Sequence, residues 1–199
     1  MTNSQLRKQN TQKIVFTALL TALVVVLQYV SMALRFGTFS ITLVLVPVVI
    51  GAATCGVISG GWLGFVFGVI VLLTGDAAPF LAIDVFGTIL TVLLKGTLCG
   101  IAAGLVYKAL YKKNQYLAVI AAAVTCPVVN TGVFLLGCLV FFLETIKSWG
   151  VAAGFTNVTA YMFIGLAGIN FIIEFATNMI LAPVIVRVLK FAKKIILGV

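Results

Sequence analysis

The sequence predicts an all-α membrane protein, a six-transmembrane-helix bundle with both termini cytoplasmic. The class follows from composition, because 63% of the 199 residues are hydrophobic and only 9% are charged. A soluble domain of this size carries charge on about a quarter of its residues. Disorder is excluded by the same numbers, since disordered chains combine low hydrophobicity with high charge. We therefore expect residues 1–199 to form a single integral membrane domain, with the lipid bilayer as its surroundings.

The six spans follow from the positions of charges and glycine clusters. A spanning helix needs roughly 20 mostly apolar residues. One uncharged stretch, 36–75, is too long for one helix and divides naturally at Gly51–Gly61 into two short ones. The predicted spans are 14–34, 39–54, 58–74, 85–107, 116–143 and 159–186.

The distribution of basic residues sets the orientation. Ten lie on the side of the termini: Arg7, Lys8, Lys13, Lys108, Lys112, Lys113, Arg187, Lys190, Lys193 and Lys194. The other side holds two, Arg35 and Lys147, together with Asp76, Asp84 and Glu144. Basic loops stay in the cytoplasm, so this asymmetry places both termini there. It also accounts for the net charge of +9 without a nucleic-acid partner, because no basic segment is interleaved with aromatic residues.

Small residues mark faces at which helices can approach closely within lipid. Glycines recur every four residues on the third and fourth spans, at Gly60, Gly64, Gly68, Gly96, Gly100 and Gly104. This pattern favours packing within the bundle. The first span carries a different stripe, Ala18-x-x-x-Ala22, flanked by threonines.

A metal site is not expected from the sequence. The chain has no histidine, and its cysteines have no metal-finger spacing. Cysteine within a span usually acts as a small hydrophobic residue. The four lie inside apolar segments, at Cys55, Cys99, Cys126 and Cys138.

Two ionisable side chains lie inside predicted spans, Lys95 and Glu174. Such groups are costly in a membrane and are candidates for function. They lie at similar depths, roughly 15 and 22 Å from the outer ends of their helices. Two interpretations remain open and are compatible: a structural ion pair between the helices, or two groups that face a common cavity.

Further polar side chains lie at the same level. Asn170, Glu174 and Asn178 share one face of the last span because they recur every four residues. The fourth and fifth spans contribute Thr88, Thr91, Asn130 and Thr131. Together these residues predict a polar pocket for a small organic molecule. In the fifth loop, Trp149 can stack on a ring of that molecule or lie in the membrane interface.

The chain carries no source of energy for transport. It has no phosphate-binding Gly-x-x-x-x-Gly-Lys-Ser/Thr loop, and its loops are too short for an ATPase domain. We therefore expect a binding subunit of a larger transporter, with no cofactor and no catalytic residues.

In these features the whole chain resembles the substrate-binding S components of energy-coupling factor (ECF) vitamin transporters. The sharpest local element is Ala18-Leu19-Leu20-Thr21-Ala22. The resemblance implies that this face packs on a transmembrane coupling subunit that carries two ATPase subunits. It also implies an outward-facing ligand pocket around Lys95, Asn130, Asn170 and Glu174, in a multi-pass protein of the bacterial cytoplasmic membrane. The sequence does not select a vitamin; the Asn-x-x-Lys pattern of riboflavin-type members is absent, since Asn170 precedes Ile173 and Glu174.

Two alternatives differ in class. A six-helix redox subunit of an ion-pumping oxidoreductase has a similar length, and its intramembrane cysteines could hold an iron–sulfur cluster. A solitary facilitator would need no ATPase partner. Iron content separates the first alternative from a transporter subunit, and uptake without coupling subunits separates the second.

Overall fold

The computed structural model describes residues 3–33, 35–36, 39–40 and 43–197, and nearly all of them are helical. The helices are α1 (Asn3–Ala33), α2 (Leu45–Thr54), α3 (Val57–Leu73), α4 (Ala78–Leu81), α5 (Val85–Tyr111), α6 (Gln115–Phe141), α7 (Leu143–Ala152), α8 (Val158–Ala160) and α9 (Gly168–Leu197), with a π-helical stretch at Tyr161–Leu166. Strands β1 (Arg35–Phe36) and β2 (Phe39–Ser40) pair antiparallel between α1 and α2. Apart from this short ladder, the predicted all-α class is confirmed for the described residues.

Four of the described helices are long and apolar enough to cross a membrane. These segments are Gln5–Ala33, Val85–Tyr111, Gln115–Phe141 and Asn170–Ala192. Two other apolar helices, α2 and α3, are shorter, with 10 and 17 residues. The count of six crossings and the cytoplasmic position of the termini stay predictions.

The predicted second span, 39–54, is wrong at its start. Phe39 and Ser40 belong to β2, and the helix begins only at Leu45. Pro47 lies in the first turn of α2, where its missing N–H costs nothing because the amides of that turn have no partner within the helix. The third span begins one residue earlier than predicted, at Val57, after Gly56 takes a φ of 105° that favours glycine.

The predicted fifth span, 116–143, is also wrong at its end. Helix α6 passes unbroken through Pro127 but stops at Phe141. Helix α7 begins at Leu143, the last residue of the predicted span, and continues into the segment predicted as a loop. Phe142 leaves the helical conformation, with φ −126° and ψ 14°, and its ring is buried against that of Phe80. The short helix α4 likewise lies within the predicted third loop.

The last predicted span, 159–186, is not one regular α-helix. After α8 the chain widens into the π-helical stretch, where the Ala167 N–H donates to the carbonyl of Met162, five residues back. Gly165 and Gly168 flank the end of this stretch, and glycine favours the regular α-helix less than other residues do. Helix α9 then continues beyond the predicted end, to Leu197.

The glycine stripes pack on each other, as the sequence predicted. Gly64 of α3 lies against the backbone of Gly96 in α5, and Gly60 lies against Gly100 one turn away. A Cβ atom at any of these four positions would overlap the backbone of the opposite helix. Helices α3 and α5 therefore touch backbone to backbone and run antiparallel.

Helix α2 lies in the middle of the bundle. All of its residues except Val46 and Thr54 are buried. Its side chains form one core with those of α1, α3, α5, α6 and α9. A second, smaller core surrounds Ile146 of α7 and includes Cys138, Phe142 and Met162. This second core lies at the end of the bundle where α3 ends and α5 begins.

Candidate functional site

A cavity of about 240 Å³ opens at that same end, between α1, α3, α5, α6 and α9. A single water molecule needs roughly 15 Å³, so the cavity has room for a small organic molecule. Asp76, Ala77 and Phe80, from the connection between α3 and α5, contribute to its wall. Leu166 and Ala167 contribute from the π-helical stretch. The π-helical widening thus shapes one side of the cavity, in keeping with the frequent place of such bulges at functional sites.

The cavity brings together five of the seven substrate-binding residues that the sequence predicted. Its lining includes Thr91, Lys95, Asn130, Asn170 and Glu174. The Nδ2 group of Asn130 donates to Oε2 of Glu174 across a distance of 3.4 Å, which links α6 to α9. The Glu174 side chain is buried, with 8% exposed. Amides, a hydroxyl and both intramembrane charges from three helices therefore line the same cavity.

Lys95 lies between two aromatic rings. Its Nζ is 5.9 Å from the ring centroid of Phe67 on α3 and 5.3 Å from that of Phe134 on α6. A cation over an aromatic face is attracted by the ring quadrupole, and more strongly when water is excluded. The two rings hold the Lys95 cation beside the cavity, where it can meet a ligand anion.

Aromatic side chains form the apolar wall. Phe80 packs edge-on against Phe134, Phe142 and Trp149, with ring centroids 5.6, 5.1 and 5.5 Å apart. Phe80, Phe134 and Phe142 line the cavity, whereas Trp149 packs on the far side of Phe80. Trp149 therefore packs behind the cavity wall, whereas the sequence offered stacking on the ligand or a place in the membrane interface.

Asn178, the other predicted residue outside the cavity lining, lies one helical turn beyond Glu174. Its side chain is fully buried, and its Nδ2 donates to the backbone carbonyl of Glu174 at 2.9 Å. The predicted polar face of the last span thus divides into two parts: Asn170 and Glu174 line the cavity, and Asn178 bonds to its own helix.

Sequence reasoning missed a polar pair at the cavity, Gln28 and Asp76. Gln28 Nε2 donates to Asp76 Oδ2 at 2.5 Å, which joins α1 to the connection after α3. Both residues line the cavity, and Gln28 is only 2% exposed. A glutamine inside an otherwise apolar span was the signal that could have found it.

Comparison with known proteins assigns the family. The model of the ECF transporter substrate-specific component matches residues 12–186. The chain belongs to this family. Neither curated proteins nor solved structures give a significant match. The family consists of transporter subunits and not of enzymes. Membership of this family argues against the alternative of a redox subunit that was considered from the sequence.

The cysteines of this substrate-specific component are spread over the bundle. Cys99 and Cys126 contact each other between α5 and α6, Cys55 lies near the Lys13 carbonyl, and Cys138 belongs to the second core. Among the described residues, no group of three or more cysteine or carboxylate side chains is placed to hold a metal ion.

The Ala18-x-x-x-Ala22 stripe of this substrate-specific component is exposed. Neighbouring Leu19 is 64% exposed, whereas Leu20, on the opposite side of α1, is buried. Thr17 and Thr21 turn toward α3, where their hydroxyls bond to Ser59 and Trp62 at 3.2 Å. The threonines thus hold α1 on the bundle while the alanines face outward.

Proposed function

We propose that this chain captures a water-soluble vitamin or a related small organic molecule outside the cell and delivers it inward with an ATP-driven coupling module. Membership of the ECF substrate-specific components supports a substrate-binding transporter subunit. The cavity supplies the finer part of the proposal, because it combines both intramembrane charges with aromatic walls.

One observation carries the proposal. Six described side chains have a buried polar atom without a hydrogen-bond partner, and three of them, Gln28, Thr91 and Asn130, line the cavity. The other three, Ser31, Gln115 and Asn178, do not line it. An unsatisfied buried polar group costs about 1–3 kcal/mol. A polar ligand that donates hydrogen bonds to the three oxygens in the cavity would offset this cost there.

The proposed orientation places the cavity outside. It lies at the end of the bundle where the sequence has Asp76, Asp84, Glu144 and Lys147, whereas Lys112 and Lys113 lie in the turn between α5 and α6 at the opposite end. Under the positive-inside rule, the lysine-rich end is cytoplasmic. A vitamin would then enter from outside, beside α4.

The binding half of the proposal is tested by the content of the purified protein. Mass spectrometry of a denatured extract should show a vitamin-like compound, and that compound should bind the emptied protein at a ratio of one to one. A screen of water-soluble vitamins and their precursors that repeatedly finds no ligand would contradict the proposal.

The coupling half is tested at the exposed alanines. Ala22→Trp places a bulky ring on a face that small residues leave open for a partner helix. We expect uptake by cells to fall at least tenfold while the purified variant binds ligand normally. The matched control is Val140→Trp, because Val140 is 72% exposed on α6, away from this face. Undiminished uptake by Ala22→Trp, or uptake by the wild type in a host without coupling subunits, would contradict a coupled transporter and favour a solitary facilitator.

A further inference from the structure

A second hollow, here called the α6–α9 groove, lies at the opposite end of the bundle from the cavity. Its volume is about 420 Å³, and it runs between the start of α6 and residues 179–190 of α9. Ala182 and Val186, each 3% exposed, form a buried floor. Ile120 and Pro183 line it more openly, and Ile120 is 40% exposed. The groove therefore combines a buried apolar floor with a partly exposed apolar rim.

Two cations stand at one end of this groove. Arg187 and Lys190 lie three residues apart on α9 and so share a face of that helix. Lys190 Nζ is held 3.2 Å from the hydroxyl of Tyr116 and 5.2 Å from the centroid of its ring. These contacts place the lysine ammonium beside the Tyr116 ring in the groove lining.

The charge at this end of the bundle is of one sign. The chain has four acidic side chains. Asp76 and Asp84 lie between α3 and α5, Glu144 lies in α7, and Glu174 lines the cavity. None of them belongs to the groove lining. An anion at Arg187 and Lys190 would therefore meet attraction without a competing carboxylate.

We propose that the α6–α9 groove binds one anionic phospholipid. Its phosphate lies between Arg187 and Lys190, and an acyl chain lies along Ile120 and Pro183. The Arg187 guanidinium offers a planar pair of donors that suits phosphate, and the ammonium of Lys190 adds a second charge. An apolar channel that continues from the cations favours a lipid over free phosphate, because phosphate has no apolar part to bury. This site is independent of the vitamin cavity, which lies at the other end.

The test measures lipid binding to the full chain purified in a neutral detergent, with native mass spectrometry to count bound molecules. The probes are phosphatidylglycerol, phosphatidylcholine and inorganic phosphate. We expect one phosphatidylglycerol to bind at least tenfold more tightly than phosphatidylcholine. Equal binding of the two lipids, or phosphate binding that matches phosphatidylglycerol, would overturn the proposal.

Matched variants separate a specific site from general attraction. Arg187→Gln with Lys190→Gln should weaken phosphatidylglycerol binding at least tenfold. Lys112→Gln with Lys113→Gln removes the same charge at the same end, outside the groove lining, and should weaken it less than threefold. Equal losses in the two double variants would reduce the effect to bulk electrostatics and overturn the site.

The acyl-chain part has its own variant. Ile120→Trp fills the channel and leaves both cations in place, so phosphatidylglycerol binding should fall although the charge is unchanged. A thermal melt of each variant confirms folding. Full binding by folded Ile120→Trp would overturn the proposed lipid in favour of a site for the phosphate alone.

Discussion

Helix α5 takes part in two interfaces that are built in opposite ways. One face carries Gly96 and Gly100, which lie directly on the backbone of α3. The other carries Thr91 and Lys95, which line a cavity toward α6 and α9. The first interface is complete within the chain, since no side chain stands between the helices. The second leaves room and unsatisfied polar groups, as expected of a site that is completed by a ligand.

The largest expected effect breaks the first interface. Gly64→Ala would drive a Cβ atom into the carbonyl of Gly96, and neither backbone can move aside cheaply. We expect a loss of about 3 kcal/mol, the upper part of the usual range for overpacking. The measurement is a thermal melt of the purified protein.

The control for that variant is Gly132→Ala in α6. A Cβ atom at Gly132 would meet nothing within 4 Å. Alanine is better than glycine in a helix by roughly 0.5–1 kcal/mol, so this variant should melt slightly higher than the wild type. Similar melting of the two alanine variants would refute the close backbone contact.

The next effect concerns the charges of the second interface. Lys95→Met and Glu174→Gln should each weaken ligand binding by roughly 10- to 150-fold, the equivalent of a charged hydrogen bond worth about 1.5–3 kcal/mol. The double variant should fold but not regain affinity. A ligand titration and a thermal melt of the two single variants and the double variant provide the measurement. If the double variant recovers stability and keeps full affinity, the two residues form a structural pair and do not belong to the binding site.

A smaller effect compares two buried asparagines. Asn130→Leu removes the amide oxygen that is proposed to accept a hydrogen bond from the ligand. Affinity should fall about fivefold, since a neutral hydrogen bond is worth about 1 kcal/mol. Asn178→Leu removes an amide that bonds to its own helix and should leave affinity unchanged. The same titration measures both variants. Equal losses would show that Asn178 also contributes to ligand affinity, contrary to its place outside the cavity lining.

The smallest effect concerns the contact between Gln28 and Asp76. Gln28→Leu removes a hydrogen bond that ties α1 to the connection beside the cavity. We expect the ligand to dissociate about two- to threefold faster, consistent with the loss of roughly 0.5 kcal/mol. Stopped-flow release of bound ligand provides the rate. A slower release would mean that this contact opposes binding.

Sequence reasoning succeeded where a residue type has one physical meaning inside a membrane. The glycine stripes predicted close packing within the bundle because small residues permit it, and the structure shows that the partner of each stripe is the other. Lys95 and Glu174 were singled out because a charge inside a membrane is costly; both line the cavity, and their role in ligand binding stays a prediction. Phe67 and Phe134 were beyond reach, because a phenylalanine that lines a cavity has the same sequence signature as one that faces lipid.

The boundaries that failed depend on tertiary structure. The break at Phe142 accompanies the burial of its ring against Phe80, a residue about sixty positions earlier in the chain. The π-helical stretch contains no proline, so the sequence does not indicate an irregular helix there. The late start of α2 differs from these two boundaries, because it had a local signal in the sequence. Proline is suited to the first turn of a helix, so Pro47 could have indicated a start near Leu45.

The backbone contact between α3 and α5 has a consequence for the entropy of binding. Two helices without intervening side chains have little freedom to slide or rotate against each other. Phe67 on α3 and Lys95 on α5 are therefore held in fixed relative positions, with the ammonium 5.9 Å from the ring centroid. A ligand that meets this wall loses its own freedom of motion but does not have to order the protein as well. Preorganisation of this kind increases affinity without any additional contact.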